Sequence, residues 1–593
     1  MASAQPHDLI LSIVNAKHRS AKLALAARFL IDEFEAYYRE ARSIPDQAQH
    51  AFETRAVSLS LYLSRRRLSI YRTSIRSAGA RLTEALPELA TSDRHWNEIE
   101  LLYLPLLQGR YERDAAEAWF KSMWRTVVGG DWQPIDWTVA QPRRFDLILK
   151  RLAAGPHLTA ATVKEILAVP DFSAPFAALD DDAELVAGRV NELLGLAGGD
   201  RDAIAAIEMI DAGFFRNRGA YIVGRILLES GAARPLVIAL ENTRQGIQCD
   251  AVLTREAEIH NIFSSTLANF HVTSMRYHEL AAFLHELMPR RPLGLHYSTI
   301  GFNHIGKHAV IKELARELAS SGERLETAAG FRGTVAIGFS ARGSSYVLKT
   351  IRDHPTAQYK WGRFAGISTI LAKYRRVHEI NRTGSMLDNI IVERIRLPRA
   401  WFSSDIADEL LANARETVSI DGHHLKFEHL IVQTKMVPLP IYLKTAGSAE
   451  AEAAMINLGS CIKNNAAANI FNKDLDARNY GVSRFGKIFL FDYDAIEPLL
   501  DIRIFTNAGR EDGEEDVPDW VFEEGIVFLP EELEPGLMID DRHLRRIFRA
   551  AHPDLLTVDY WKGMQRALRK GWVPRIEVYP AAARLRAARI DMS

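Results

Sequence analysis

The stretch from Asn469 to Asp494 constrains the fold of this chain more than any other. Asp474 and Asn479 stand five residues apart in a polar, turn-rich segment, and a short apolar run, 487–491, then leads into Asp492. The apolar run has the composition of a buried strand. The fold must therefore bring the polar loop with Asp474 and Asn479 close to the end of the strand that leads into Asp492. Carboxylate and amide oxygens suit Mg²⁺, and a carboxylate can also accept a hydroxyl proton.

The spacing of these residues is the one that protein kinases use. In that arrangement the first Asp is the catalytic base, and the Asn and the second Asp, here Asn479 and Asp492, hold Mg²⁺. On this stretch alone, an Asx-rich turn in which Asp474 caps backbone amides is an equally good interpretation. The features elsewhere in the chain have to decide between the two.

Composition bounds the remaining possibilities. The 593 residues are enough for several domains, and 74 basic against 75 acidic residues give a net charge of −1, which favours neither a nucleic-acid nor a membrane partner. No apolar run approaches the ~18 residues that cross a bilayer. Cys249 and Cys461 are too few for a disulfide framework, and the start MASAQPHDLI lacks the apolar segment of a signal peptide. We expect a cytoplasmic protein.

Residues 1–320 are predicted to form a mainly helical domain. Apolar residues between Leu23 and Tyr38 recur at spacings of three and four, as on one face of a helix. Pro45 is expected to end this helix. Further helices are predicted around 112–127, 142–154, 160–168 and 183–197. Between about 219 and 255, three strand-like runs separated by turn residues predict an antiparallel meander.

The segment 301–308, GFNHIGKH, matches the G-x-x-x-x-G-K part of a phosphate-binding P-loop. A P-loop needs Ser or Thr after the Lys, where this chain has His308, and the residues before Gly301 are only weakly strand-like. We interpret the segment as a turn before a helix. A P-loop ATPase based on Lys307 is kept as an alternative.

The residues after about 320 follow the order of a kinase small lobe. A short glycine-bearing loop precedes two strand-like runs, and the second run ends at Lys349; the loop consists of Ala328, Ala329, Gly330, Phe331, Arg332, Gly333 and Thr334. Glycines let a backbone approach phosphates closely, and a Lys on the following strand can neutralise them. Glu379, in a predicted helix, is a candidate partner for Lys349.

Two more strand-like runs lead to a predicted hinge at about Met436, and a helix at about 448–467 then leads into the catalytic stretch. The predicted fold class is therefore α+β. A mainly α-helical regulatory domain with a small antiparallel meander precedes a bilobal protein-kinase-like domain. Its small lobe spans about 321–436 and its large lobe about 437–593.

Several strings resemble the isocitrate dehydrogenase kinase/phosphatase family along essentially the whole chain. They are FFRNRGAYIVGRIL (214–227), RTGSMLD (382–388), AAANIF (466–471), NYGV (479–482) and FDYD (491–494). Ordinary protein kinases carry neither FDYD nor RTGSMLD. The resemblance implies a bifunctional enzyme that phosphorylates and dephosphorylates a serine of its protein partner, NADP-dependent isocitrate dehydrogenase. Phosphorylation would inactivate the dehydrogenase and so divert isocitrate into the glyoxylate bypass.

The resemblance also implies cofactors and residue roles. Mg²⁺, with Mn²⁺ as an alternative, would act with ATP or ADP, and AMP would be an allosteric effector. The loop 328–334 and Lys349 would bind the nucleotide, and Asp474 would be the kinase base. The metal ligands would be Asn479, Asp492 and Asp494. Asp388 would be tied to the phosphatase activity, although the residues alone indicate only a turn or a helix cap there.

The chain also departs from ordinary kinases. Asp-Tyr-Asp at 492–494 replaces Asp-Phe-Gly, and no Ala-Pro-Glu marks an activation segment, so control by activation-loop phosphorylation is not expected. The hinge residues 433–435 leave the adenine contacts open. The acidic segment 510–524 is interpreted as a solvated loop and as a candidate contact for the dehydrogenase. The oligomeric state stays open, with a homodimer as one candidate.

Two functional alternatives remain. One is a kinase-like phosphotransferase for another protein or for a small molecule. The other is a nucleotide-binding pseudokinase scaffold, against which the presence of Lys349, Asp474, Asn479 and Asp492 argues.

Overall fold

A computed structural model describes residues 6–132, 135, 144–153, 155–195, 203–263, 270–359, 364–380, 384–507, 524–571 and 578–586. In these residues a helical domain with one large sheet precedes a domain of two lobes, of which the first is built on a second sheet. The predicted α+β fold class is confirmed. The side chain of Glu379 and all of the acidic segment except Glu524 lie outside the described residues.

The N-terminal domain begins with helices that bury their apolar faces against one another. They are α1 (Pro6–Asn15), α2 (Arg19–Glu53), α3 (Val57–Ala85), α4 (Asp93–Tyr103), α5 (Arg113–Val128), α6 (Ala160–Leu167) and α7 (Leu179–Leu194). The stripe predicted between Leu23 and Tyr38 is buried in this core.

The prediction that Pro45 ends the first helix is wrong. Helix α2 runs on to Glu53 with Pro45 inside it. A proline in a helix interior removes one backbone hydrogen bond and costs ~3 kcal/mol. Pro45 and its neighbours Ile44 and Ala48 are buried, however, and burial of this surface against the core offsets the cost.

One antiparallel sheet completes the N-terminal domain. Its strands are β1 (Leu149–Leu152), β2 (Ile204–Ile210), β3 (Phe214–Arg216), β4 (Gly219–Leu228), β5 (Ala233–Thr243), β6 (Gly246–Leu253) and β7 (His271–Val272). Strands β4, β5 and β6 confirm the predicted meander. The helix predicted at 142–154 is wrong for the described residues, because β1 pairs with β2 there and a neighbouring strand overrides local helical spacing.

Four helices connect this sheet to the second domain: α8 (Glu256–Phe263), α9 (Tyr277–Leu287), α10 (Leu293–Thr299) and α11 (Asn303–Ser321). Gly301 makes the predicted turn with φ 90°, and Lys307 lies inside α11. A P-loop has a strand before its glycine-rich loop. Here the preceding element is helix α10, so the segment does not have a P-loop's context.

The small lobe is built on the second sheet. Its elements are β8 (Glu326–Thr327), β9 (Ala336–Ser340), β10 (Tyr346–Ile351), α12 (Ile367–Ile380), β11 (Asn389–Pro398), α13 (Ser404–Asn413), β12 (Val418–Asp421) and β13 (His424–Thr434). The strand order is β11-β13-β10-β9-β8, with β12 beside β13. Apolar residues of α11, among them Val310 and Leu314, belong to the core of this lobe.

The large lobe is mostly helical and irregular. Its elements are β14 (Val437–Pro438), α14 (Leu439–Thr445), α15 (Ser448–Ala467), β15 (Phe471–Asn472), β16 (Tyr480–Val482), β17 (Ile488–Leu490), β18 (Ile496–Glu497), β19 (Ile502–Ile504), β20 (Ile526–Phe528), α16 (Leu533–Gly536), α17 (Arg542–Ala551) and α18 (Val558–Arg569). Among the described helices, none has the length and apolar character needed to cross a bilayer.

After α18 the chain returns to the N-terminal domain. The backbone N–H of Leu585 donates to the carbonyl of Asp250, 2.9 Å away, and Ala583 belongs to the N-terminal core. Arg586 forms an ion pair of 2.6 Å with Asp182, a fully buried carboxylate whose other oxygen accepts the N–H of Cys249. The segment 578–586 therefore fastens the second domain to the first.

We expect Arg586→Ala to lower stability, because it leaves the Asp182 carboxylate buried without its cation. Breaking a buried ion pair costs several kcal/mol, and the partial exposure of Arg586 reduces the expected loss to about 1–3 kcal/mol. Adding Asp182→Asn should restore most of the loss, since the amide oxygen can still accept from Cys249. Melting temperatures of the single and double variants test this. Equal melting temperatures for Arg586→Ala and the double variant would contradict it.

Candidate active site

A cleft of about 480 Å³ lies between the two lobes of the second domain. The predicted catalytic and metal-binding residues of the large lobe line it, and so does Lys349 from β10. These residues are Asp474, Asn479, Asp492 and Asp494. Residues separated by up to 145 positions in sequence are thus brought to one site, as the kinase interpretation requires.

The predicted nucleotide loop forms the upper edge of this cleft. All of its residues except Gly330 line the cleft, and Gly330 has φ 124°, a backbone conformation that a residue with a side chain rarely adopts. A Cβ on Gly333 would lie 2.5 Å from the carbonyl oxygen of Ala336. Both glycines are therefore needed for the path of the loop.

Phe331 at the tip of the loop reaches the opposite lobe. The guanidinium of Arg478 lies 5.5 Å from the centre of its ring, within the range of a cation–π contact. Arg478 also pairs with Asp476, at 2.7 Å, and lines the cleft. The sequence reasoning missed Arg478, although it stands directly before Asn479. This contact draws the nucleotide loop over the mouth of the cleft.

Lys349 is buried at the back of the cleft. Its ammonium donates to the carbonyl of Phe491, 3.2 Å away, and lies 6.0 Å from the ring centre of Tyr374 on α12. Burial lowers the pKa of Lys349, while Asp492 and Asp494 act in the opposite direction. Within the described residues Lys349 has no ion pair, so its pairing with Glu379 stays a prediction.

Helix α12 contacts the predicted metal ligand Asp492 through Tyr374 instead. The Tyr374 hydroxyl donates to Asp492, 3.1 Å away. Nearby on the same helix, Lys373 pairs with Glu497 at 2.9 Å and donates to the Asp494 carbonyl. Neither residue was predicted, because an isolated Tyr or Lys in a helical stripe gives no signal of such a contact.

Local hydrogen bonds hold Asp474 and Asn479, the predicted kinase base and metal ligand, in one loop. The side-chain amide of Asn479 donates to the Asp474 carbonyl, 3.0 Å away, and this leaves the amide oxygen of Asn479 available to a metal. The Asp474 N–H donates to the side chain of Asn472. These bonds fix the loop in a short turn, which is why a five-residue spacing suffices to bring both groups to the cleft.

The carboxylates of the cleft fit a divalent cation. Burial, followed by the nearby charges of Asp492 and Asp474, raises the pKa of Asp494 to about 7. A cation between these groups would remove the repulsion. The described residues contain no three His, Cys, Asp or Glu side chains already arranged around a single point. Mg²⁺ takes only one or two protein carboxylates and completes its shell with phosphate oxygens and water, so the donor set still fits.

The hinge between the lobes is held by side chains as well as by the backbone. Gln433 donates to the Phe491 carbonyl, 3.2 Å away, and Lys435 donates to the carbonyls of Ala341 and Arg342. Gln433 and Met436 line the cleft. The side chains of Gln433 and Lys435 are thus engaged in the protein itself, Thr434 also lines the cleft, and the adenine contacts stay open.

Asp388 lies beside the cleft and not in its lining. Its neighbour Leu387 lines the cleft, and successive side chains of an extended chain point in opposite directions. The Asp388 carboxylate is instead fully buried, 3.6 Å from the guanidinium of Arg291 in the N-terminal domain. Its two oxygens have no hydrogen-bond partner among the described residues. The phosphatase role of Asp388 stays a prediction.

The N-terminal domain also contacts the hairpin formed by β16 and β17, which connects Asn479 to Asp492. Phe485 at its tip packs against His260, with ring centres 4.7 Å apart, and Arg290 lies over the same ring. The Lys487 ammonium donates to the Asn261 carbonyl, 2.7 Å away. Burial lowers the pKa of Lys487 to about 7. No sequence pattern predicts these contacts, because each joins residues of different domains.

Burial raises the pKa of Asp388 to about 7, against the opposing effects of Arg291 and Arg216. The native state therefore loses stability as the pH rises from about 4 to 7, where the unfolded chain already carries the charge. We expect the melting temperature of Asp388→Asn, relative to the wild type, to rise between pH 5 and pH 8. Asp408→Asn on the exposed face of α13 is the control. Parallel pH profiles for all three proteins would contradict the burial of a charge at Asp388.

Comparison with known proteins agrees with this geometry. The family model of the isocitrate dehydrogenase kinase/phosphatase (AceK) regulatory domain matches residues 27–322, and that of its kinase domain matches residues 323–581. A protein of Rhodopseudomonas palustris (strain HaA2), "Isocitrate dehydrogenase kinase/phosphatase", is 47% identical over 588 residues, which cover 98% of this chain and 96% of the relative.

More distant relatives carry the same name. The protein of Anaeromyxobacter sp. (strain Fw109-5) is 30% identical over 565 residues, 94% of this chain and 96% of its own length. Both family models and both relatives together span the N-terminal domain, the small lobe and the large lobe. The chain belongs to the isocitrate dehydrogenase kinase/phosphatase family.

Proposed function

We propose that this protein phosphorylates and dephosphorylates a serine of NADP-dependent isocitrate dehydrogenase, with Mg²⁺ and ATP or ADP in the cleft between the lobes. The observation that carries the proposal is the convergence of Lys349, Asp474, Asn479 and Asp492 on one cleft. Through this reaction the protein controls the flow of isocitrate between the tricarboxylic acid cycle and the glyoxylate bypass. The names of the relatives support the dehydrogenase as the substrate.

In the kinase direction, the nucleotide loop and Lys349 hold the phosphates of ATP. Asp474 accepts the proton of the serine hydroxyl as the serine oxygen attacks the γ-phosphorus and ADP leaves. Asn479, Asp492 and Asp494 would hold Mg²⁺, which neutralises charge that develops on the phosphate oxygens. Manganese has the same preference for oxygen ligands and is an alternative.

In the phosphatase direction, a water oxygen attacks the phosphorus of the phosphoserine bound in the same cleft. The bond from phosphorus to the serine oxygen breaks, the serine oxygen takes up a proton, and inorganic phosphate leaves. Asp388 is proposed to support this reaction. Because its carboxylate lies behind Leu387, we propose that it positions the cleft wall at Leu387. AMP is proposed to shift the balance between the two directions.

Two alternative functions differ from this proposal in whether phosphate is transferred and to which molecule. A kinase-like phosphotransferase for another substrate would transfer phosphate from ATP but leave the dehydrogenase unmodified. A pseudokinase scaffold would bind nucleotide without transferring phosphate.

The acidic segment that includes Glu524 is a further candidate contact for the dehydrogenase.

The test combines the purified protein, NADP-dependent isocitrate dehydrogenase and Mg-ATP, and follows phosphoserine and dehydrogenase activity together. We expect phosphoserine to appear as dehydrogenase activity falls. Removing ATP and adding ADP and AMP should reverse both changes. Asp474→Asn should slow phosphorylation by about 10²–10⁴-fold, because the serine proton loses its acceptor.

Asp388→Ala and Asp388→Asn separate the two directions. If Asp388 supports dephosphorylation, both variants should still inactivate the dehydrogenase but fail to restore it. ATP binding without any phosphate on the dehydrogenase would overturn the substrate and leave the kinase fold. Equal recovery in the wild type and both variants would overturn the role of Asp388 alone.

The nucleotide site itself is tested with two lysine variants. Lys349→Met should lower phosphate transfer from ATP by about 10²–10³-fold, since the cation at the back of the cleft is lost. Lys307→Met, a matched change inside helix α11, should leave phosphate transfer within about twofold of the wild type. The opposite pattern would favour a P-loop ATPase at Lys307. Melting temperatures of both variants serve as the check on folding.

A further inference from the structure

A second pocket, of about 590 Å³, opens on the N-terminal domain. It lies between the C-terminal half of α2, the residues before α5 and the loop that joins β7 to α9. All of its lining residues belong to the N-terminal domain, so it is separate from the cleft between the lobes. Neither the kinase nor the phosphatase reaction uses it.

Three arginines line this pocket: Arg39 and Arg42 from α2, and Arg276 from the residue before α9. All three are exposed, and within the described part of the chain none of their guanidinium groups has a hydrogen bond or an ion pair. Many other arginines of this domain pair with a carboxylate, among them Arg66 and Arg225. The pocket therefore contains guanidinium N–H donors that have no acceptor within the described part of the chain.

Two tyrosines, Tyr38 and Tyr111, line the pocket beside these arginines. Arg276 lies over the ring of Tyr111, 4.8 Å from its centre, and the Tyr111 hydroxyl is held by Glu279 at 2.6 Å. Burial and Glu112 raise the pKa of Tyr38, while Arg42 and Arg276 oppose the change. Groups from α2 and from the start of α9 thus lie close to one hydroxyl.

The balance of charge at this site favours an anion. Three guanidinium groups and two carboxylates, Asp46 and Glu112, belong to the pocket lining. Outside the lining, Glu279 accepts the Tyr111 hydroxyl, and Arg110 lies 3.8 Å from Glu112. An arginine fork binds a carboxylate or a phosphate through two parallel hydrogen bonds. Two or more such forks around one pocket match a ligand with at least two negative charges.

We propose that this pocket binds a small oxyanion that carries two or more negative charges, either a phosphorylated compound or a polycarboxylate. Arg42, from α2, and Arg276, from the residue before α9, hold the anionic groups, and Arg39 adds a third cation. The ring of Tyr111 keeps Arg276 in place beneath the ligand. The binding requires no reaction and no change in the catalytic cleft.

The test is calorimetric titration of the full-length protein with inorganic pyrophosphate and, in a second arm, with citrate. Both titrations are done without divalent cations and at constant ionic strength. The titrated proteins are the wild type, Arg42→Gln/Arg276→Gln, Lys349→Met and, as the matched control, Arg546→Gln on the exposed face of α17. Melting temperatures without ligand show whether each variant folds.

We expect at least one probe to bind the wild type with a dissociation constant below about 1 mM. The double variant should bind it at least about tenfold more weakly, since two charge-assisted pairs are lost. Arg546→Gln should bind as the wild type does, and Lys349→Met should retain the binding that the double variant loses. Preference for pyrophosphate would identify a phosphorylated ligand, and preference for citrate a polycarboxylate.

Three results would overturn the proposal. Neither probe binds the wild type; the double variant binds as tightly as the wild type; or binding is lost in Lys349→Met and retained in the double variant, which would place the probe in the catalytic cleft. If the double variant does not fold, Arg42→Lys replaces it. That change keeps the charge but removes the fork, and should still weaken binding severalfold.

Discussion

The hairpin between β16 and β17 is the constraint on which the catalytic geometry depends. Asn479 stands at its beginning and Asp492 follows its end, so the position of the hairpin sets the distance between two proposed metal ligands. Its tip does not lie free in solvent. Phe485 packs between His260 and Arg290, and Lys487 donates to the Asn261 carbonyl. The N-terminal domain is therefore part of the catalytic scaffold, and a movement of that domain would move both ligands.

The same interface buries charges that contribute little to stability. Asp388 and Arg291 are almost completely enclosed and lie 3.6 Å apart, a distance at which attraction in a protein interior only partly offsets the loss of hydration. Lys487 is buried with a backbone carbonyl as its acceptor. An apolar interface would hold the domains together at lower cost. Buried charges accept fewer alternative arrangements, because any misplacement leaves a charge without its partner.

The sequence predicted best what depends on neighbouring residues. The spacing of Asp474, Asn479 and Asp492 predicts that they lie together, because a short loop and a short hairpin carry them to one cleft; their roles stay predictions. Strands β4, β5 and β6 were found for the same reason. The prediction that Pro45 ends a helix is wrong because burial in the helical core outweighs the local preference of proline. The helix predicted at 142–154 is wrong because the strand β1 pairs there with β2, which lies more than 50 residues away in the sequence. Side-chain direction at Asp388 depends on a distant domain, and no pattern in the chain encodes it.

The segment 578–586 joins the second domain to the first over a long separation in sequence. Arg586 donates to the carbonyl of Cys249, 337 residues earlier, and the same segment adds Ala583 to the core of the N-terminal domain. During synthesis the N-terminal domain emerges first, but this part of its surface stays uncovered until both lobes have left the ribosome. Arg584 bridges to Ala251 of β6, a strand whose only partner within the sheet of the described residues is β5. Until the segment arrives, the free edge of β6 can pair with another chain. The rate of translation therefore sets a period in which this surface of the N-terminal domain is exposed and a chaperone could bind it.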